Sequence, residues 1–142
     1  VSSGCILGVD LGSRRIGLAV SDPGGRLATP LAVIERSGDP VADRQTIVAR
    51  AREAGASRIV VGLPLSLSGD VGPAAGAVLE EVEALRAEAS PTITVETHDE
   101  RFTTVIAERG LRATGTRRGA RRQAVDSAAA AVMLQSYLEA HP

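Results

Sequence analysis

Between Cys5 and Glu35 three short apolar runs follow one another with only turns between them, and this opening narrows the fold more than any other feature. Cys5-Ile6-Leu7-Gly8-Val9 ends at Asp10 and reads as a buried strand. Gly12-Ser13 supplies a turn. Ile16-Gly17-Leu18-Ala19-Val20 reads as a second strand, stopped by Asp22-Pro23-Gly24-Gly25. Residues 27–35 make a third. Strands joined in this way form an antiparallel meander, and Pro30, with no N–H to give to a ladder, places the third strand at a sheet edge.

Alternating elements follow. Asp39-Pro40 is an N-cap with proline at the first helical position, and the helix runs to about Ala54 before Gly55. Arg58 to Leu63 is a buried strand stopped by Pro64. The polar loop Ser66 to Gly72 leads to Pro73 and a helix through about Ala89. The β-branched run Thr92 to Thr97 is a fifth strand, delivering His98-Asp99-Glu100-Arg101. A short helix is expected over 103–111. Residues 113–122 read as a mobile basic loop running into a last helix, about Arg121 to Glu139. The expectation is a single α/β domain over residues 1–142: a mixed five-stranded sheet, three antiparallel strands and then parallel ones, with helices on both faces.

Composition excludes several classes. Phe102 and Tyr137 are the only aromatic residues, so a base-stacking platform is not expected and the core must be Val, Leu, Ile and Ala. No apolar run reaches the roughly 18–20 residues of a membrane span, and no secretory leader is evident. Cys5 has no disulfide partner within the chain, and a cytoplasmic protein is the expectation. Net charge is −1, and every basic residue is Arg. Seven of them, Arg101, Arg109, Arg112, Arg117, Arg118, Arg121 and Arg122, fall in 101–122 against one acid, Glu108. Such a concentration suits a phosphate-rich partner, although a charge run can also be merely a solvated face.

Strands one, four and five are expected to be parallel, so their carboxyl ends open on one edge, where open α/β sheets bind ligands. Asp10, the Pro64–Gly72 loop, Asp99 and Glu100 are delivered there. Asp126 lies near the start of the last helix among small apolar residues, where an unpartnered acid is costly. Carboxylates converging from distant segments suit a hard divalent cation. Two such ions, roughly 3.5–4 Å apart, can activate water and stabilise a leaving oxygen in phosphodiester hydrolysis. Zinc is disfavoured by one Cys and two scattered His. Each acid also has a structural reading: Asp10 as a turn-former, Asp99-Glu100 as a solvated strand end, Asp126 as a charge favoured by the helix dipole. His98 is expected to be structural rather than a ligand, His141 a frayed tail, and Cys5 a small core residue.

Four ordered blocks resemble a known family. Gly8-Val9-Asp10-Leu11-Gly12-Ser13-Arg14-Arg15-Ile16-Gly17-Leu18-Ala19 resembles its GxDxGxxRxGxA opening. Val61-Gly62-Leu63-Pro64-Leu65, with Gly69 and Gly72, resembles the second block, and Asp99-Glu100-Arg101-Phe102-Thr103-Thr104 the DERxTT block. The run from Asp126 to Leu138 resembles DxxAAxxxLQxYL. The family is YqgF/RuvX, Holliday-junction-resolvase-like proteins assigned to pre-16S rRNA cleavage, with a ribonuclease H-like fold.

The resemblance implies that Asp10, one of Asp99 and Glu100, and Asp126 are catalytic metal ligands. The metal would be Mg²⁺ or Mn²⁺, in a two-metal site assembled fully only with substrate. Glu100, with its longer arm, is expected to reach toward Asp10 and to matter more than Asp99. Related nucleases carry an acid near the end of the fourth strand; Gly62-Leu63-Pro64 has none, so the fifth-strand pair must substitute. Arg101 would contact the scissile region or orient an acid. Arg15 takes the basic position of the first hairpin, and Arg117, Arg118, Arg121 and Arg122 would grip phosphates. The implied activity is endonucleolytic cleavage of structured nucleic acid: 5′-end maturation of pre-16S rRNA, resolution of four-way DNA junctions, or both. Pre-ribosomal particles are expected partners, and the chain a monomer or weak homodimer. Two alternatives stand beside it. Asp10-Leu11-Gly12-Ser13 also resembles the first phosphate loop of actin-like ATPases and sugar kinases, though 142 residues leave no room for their second lobe. The other is a ribosome-assembly binding protein without catalysis, against which the presence of all three acid positions argues.

Overall fold

A computed structural model describes residues 4–101, the helical backbone from Arg118 onward, and side chains from Ser127 to Pro142. The helix expected over 103–111, the side chains of Arg118, Arg121, Arg122 and Asp126, and Arg117 altogether lie outside the described residues.

Five strands, β1 (Cys5–Leu11), β2 (Arg15–Ser21), β3 (Ala28–Glu35), β4 (Ala56–Leu63) and β5 (Thr94–Asp99), form one sheet in the order β3-β2-β1-β4-β5. β2 is antiparallel to both β1 and β3, while β4 is parallel to β1 and β5. The opening meander and the parallel continuation follow the pattern of connections expected from the sequence. β3 is an edge strand, and Pro30 sits there opposite Ala19, beside a register shift between Leu18 and Ala19. A proline and an irregularity together discourage pairing with another chain.

α1 (Pro40–Glu53) begins as its cap predicts: Asp39 accepts from the Val41 N–H at 3.0 Å, and Pro40 opens the first turn. Gly55, at φ 71°, supplies the left-handed residue just past its end. α2 is Pro73–Ala89 and α3 is Arg118–Ala140. The last helix therefore starts at Arg118, and residues 118–122 have helical backbone rather than that of a loop. Ala120, Arg121, Arg122, Gln123 and Ala124 are good helix formers, enough to carry Gly119 at a cost of about 1 kcal/mol.

The alternation of strand side chains divides the core in two. Leu7, Val9, Ile16, Leu18, Ile59 and Val61 point to the side covered by α1 and α2, packing with Ile47, Val48, Val82 and Leu85. On the opposite face Ala19 and Val60 meet Ala130, Met133, Leu134 and Tyr137 of α3. That face is lined with small residues, so the helix comes close. A Cβ placed on Gly8 would lie 2.9 Å from the Leu134 Cβ.

Polar clasps hold α3 in place. Gln135 accepts from the Ala28 N–H at 2.9 Å and donates to the Arg26 carbonyl at 3.0 Å, covering the entry to β3. The buried Tyr137 donates to Glu96 at 2.6 Å and accepts from Arg58 at 2.7 Å. His98 meets Ser136 at 3.0 Å and the edge of the Tyr137 ring, which is structural use of a histidine. His141 is not a frayed tail: its ring stacks on Tyr137 at 4.2 Å and bonds the Tyr137 carbonyl at 2.9 Å. Cys5, at the first position of β1, is half-buried rather than a full core residue. No helix of the described residues is long and apolar enough to cross a membrane.

Candidate active site

Because β1, β4 and β5 run in parallel, their carboxyl ends share an edge, as the sequence predicts. Asp10 stands near the end of β1, opposite Gly17 of β2. Leu63 ends β4 opposite Asp99, and the Glu100 N–H returns to the Leu63 carbonyl at 3.2 Å. That bond turns the chain back over β4 immediately after β5.

The turn sends Asp99 and Glu100 in different directions. Asp99 is engaged by Arg101: its Oδ2 takes Nε at 2.7 Å and Nη2 at 2.6 Å, and its Oδ1 takes the Arg101 N–H at 3.0 Å. The Arg101 guanidinium hydrogen bonds hold the Asp99 carboxyl below the usual carboxylate range. Arg101 also donates to the Leu67 carbonyl at 3.2 Å, tying the β4–α2 loop to the same corner. Within that loop the Asp70 N–H donates to Ser66 Oγ at 3.0 Å, Ser68 Oγ donates to Asp70 Oδ2 at 2.8 Å, and Gly69 adopts φ 89°.

Glu100 instead folds inward. Its carboxylate occupies the space a side chain at position 62 would need: a Cβ on Gly62 would overlap Glu100 Oε2 and fall 3.2 Å from Met133 of α3. Burial, then the charge of Asp10, then that of Asp99, push the Glu100 pKa up to about 7. Desolvation dominates, and Asp10 is the nearer in effect of two like charges. Asp10 thus stands close enough for its charge to act on Glu100, while Asp99 is engaged by Arg101.

Sequence reading places Gly62 in the second block but misses its role as the seat of the Glu100 carboxylate. The signal was present: a lone glycine inside the β-branched run Arg58–Leu63 marks a strand position that something approaches closely. Arg15 opens β2 opposite Glu35 of β3, half-buried at the same turn end of the β1–β2 hairpin as Asp10. Asp126 has helical backbone one heptad before Met133, and its side chain is outside the described residues. Among the described residues no group of three His, Cys, Asp or Glu is placed to hold a metal ion.

The raised pKa has a consequence for stability. Glu100 binds its proton more tightly folded than unfolded, so folding loses stability as pH rises from about 4.5 to about 7 and is level above that. Glu100→Gln should therefore melt like wild type near pH 4 in chelator and at higher temperature than wild type at pH 8. Equal melting differences at the two pH values would show that the carboxylate is not held in an unfavourable place.

Comparison with known proteins agrees with this architecture. A family model described as RuvX, Holliday junction resolvase, matches residues 4–140. A relative from Kineococcus radiotolerans, named "Putative pre-16S rRNA nuclease", is 44% identical over 137 residues, covering 96% of this chain and 72% of its own. One of the same name from a Nocardioides species is 45% identical over 139 residues, covering 96% and 88%. Among solved structures, RuvC of Thermus thermophilus in complex with a Holliday junction substrate superposes with TM-score 0.57 at 18% identity, covering 96% of this chain and 94% of that one. That likeness is one of fold, the ribonuclease H-like mixed sheet with helices on both faces. With the ordered blocks around Asp10, Gly62, Asp99-Glu100 and Asp126 and a family match spanning nearly every residue, the chain belongs to the RuvX family.

Proposed function

We propose that this chain is a Mg²⁺- or Mn²⁺-dependent endonuclease of structured nucleic acid, cleaving near the 5′ end of pre-16S rRNA, at four-way DNA junctions, or at both. The observation that carries this reading is Glu100, half-buried in the space beside Gly62 and close enough to Asp10 for that charge to oppose its ionisation. The names borne by the relatives and the RuvX match support the choice of nucleic acid.

The residues fit a hard cation. All donors are carboxylate oxygens, and two like charges acting on one another are relieved by a divalent ion bound to both. Asp10 and Glu100 would hold it, and Asp126 would join them from helical backbone two turns before Met133, about 10 Å along the axis. When bound, such ions supply a water acidic enough to attack phosphorus and positive charge against the leaving oxygen. Because Gly62-Leu63-Pro64 brings no acid to the end of β4, substrate phosphates are proposed to complete the site, with full metal occupancy reached only with nucleic acid. Asp99 is proposed as a positioning group, its charge neutralised by Arg101. Arg101 keeps the β4–α2 loop against the acids and presents a cation at the edge where phosphate enters. Arg15, Arg117, Arg118, Arg121 and Arg122 are proposed to grip phosphates, without reading bases. The setting is the cytoplasm, on pre-ribosomal particles.

A cleavage assay offering pre-16S rRNA fragments, four-way junctions and plain duplexes with Mn²⁺ or Mg²⁺ tests the reading. Wild type should cut at least one structured substrate only with the ion. Asp10→Asn should lose at least about 100-fold, since even groups that merely orient metal ligands are worth roughly 10–100-fold. Comparable cleavage by that variant removes Asp10 from the mechanism.

The basic cluster makes a separate prediction. Binding to duplex should weaken with salt by about 0.9 log units per log salt for each phosphate contact. Arg117→Ala with Arg118→Ala should flatten that slope by up to about two units, leaving turnover of bound substrate much less affected. Superimposable salt curves would show these side chains to be solvated bystanders.

A further inference from the structure

We infer that Arg36 is a positioning residue for Asp10, acting through the carbonyl of Gly12; the inference rests on the nuclease reading above. Asp10 leads straight into a tight turn. The Gly12 N–H bonds the carbonyls of Asp10 at 3.2 Å and Arg15 at 3.0 Å, and a Cβ on Gly12 would fall 2.5 Å from the Arg15 oxygen. The next two residues, Ser13 and Arg14, are exposed.

Arg36 closes it from outside. Its Nε donates to the Gly12 carbonyl at 2.7 Å, while Nη1 and Nη2 reach Glu81 of α2 at 3.3 and 3.1 Å. The ion pair is largely covered, with side chains 20% and 31% exposed. One guanidinium thus joins the turn carrying Asp10 to the helix behind the β4–α2 loop. A lysine ammonium, a point charge without the planar fork, cannot reproduce both ends of that link.

The guanidinium is itself anchored at its root. The Arg36 N–H donates to the Arg14 carbonyl at 2.9 Å, extending the β2–β3 pairing past Glu35. Its neighbour Ser37 gives both its N–H, at 3.1 Å, and its hydroxyl, at 2.8 Å, to the buried carboxylate of Asp43. Backbone before and after the side chain is fixed, so little freedom remains to be lost when the clasp forms. A group aimed at a carbonyl two residues from a metal-ligating acid, and locked from both sides, sets where that acid stands. Groups that orient metal ligands in this way are worth about 10–100-fold in affinity or activity.

The test compares wild type, Arg36→Lys, Arg36→Gln and Tyr137→Phe. Tyr137→Phe loses its bonds to Arg58 and Glu96 and serves as a stability control away from the acids. Steady-state cleavage and calorimetric titration with Mn²⁺ are run well below every melting temperature. Both Arg36 variants should lose about tenfold or more in kcat and in Mn²⁺ affinity, with KM within about twofold, whereas Tyr137→Phe keeps both. Retention of kcat and Mn²⁺ affinity by Arg36→Lys, or losses in every variant that track melting temperature, would overturn the role. Should Arg36→Gln fail to fold, Arg36→Lys decides alone. A wild-type protein that neither takes up Mn²⁺ nor cleaves defeats the nuclease reading instead. Amide exchange over Leu11–Arg15 then judges the clasp: faster exchange in Arg36→Lys upholds it, and unchanged exchange overturns it.

Discussion

The carboxylate of Glu100 rests in the place that a side chain on Gly62 would fill, and the corner of the molecule that matters most is arranged around that contact. Glycine at position 62 opens a hollow on the sheet face that α3 covers. Met133 closes the hollow from the helix side, and Asp10 stands near enough for its charge to oppose ionisation of Glu100. Here the acid is supplied from beyond β5 and laid across β4, so a residue with no side chain becomes the seat of a carboxylate.

That arrangement runs against stability and has to be held by its surroundings. An acid taken from water beside another acid costs free energy unless a cation or a proton compensates it. The sheet supplies rigidity through two apolar layers, Leu7, Val9, Ile59 and Val61 on one side and Val60 with Leu134 on the other. Polar braces then fix the rim: Arg101 holds Asp99 and the β4–α2 loop, while Arg36 ties the Gly12 turn to Glu81. Tension at the acids and order around them suit the divalent-ion site proposed above.

Much of the scaffold could be read from local chemistry. Turn residues at Gly12-Ser13 and Asp22–Gly25, the Asp39-Pro40 cap and the single Pro30 each act over a few residues, and each appears as its chemistry dictates. Convergence of Asp10 with the β5 terminus followed from parallel strand order. What escaped was non-local. The Gly62 hollow exists only when Glu100, 38 positions later, folds back over it, and the Arg36 clasp joins three segments that no periodicity links. His141 looked like a tail because nothing nearby in sequence says that Tyr137, one helical turn earlier, will offer its ring. α3 begins earlier than Gly119 suggests, because the flanking Ala and Arg residues favour helix.

The central claim is that Glu100 is a carboxylate held out of water beside Gly62 under the charge of Asp10, and carbon-detected NMR titration of its side-chain carboxyl in chelator measures this directly. A midpoint near 7 is expected for wild type. Asp10→Asn should lower it, because one like charge is gone, without returning it to the ordinary glutamate value, because burial is the larger cause. A midpoint near the ordinary value of 4.5 in wild type, unmoved by Asp10→Asn, would contradict the account.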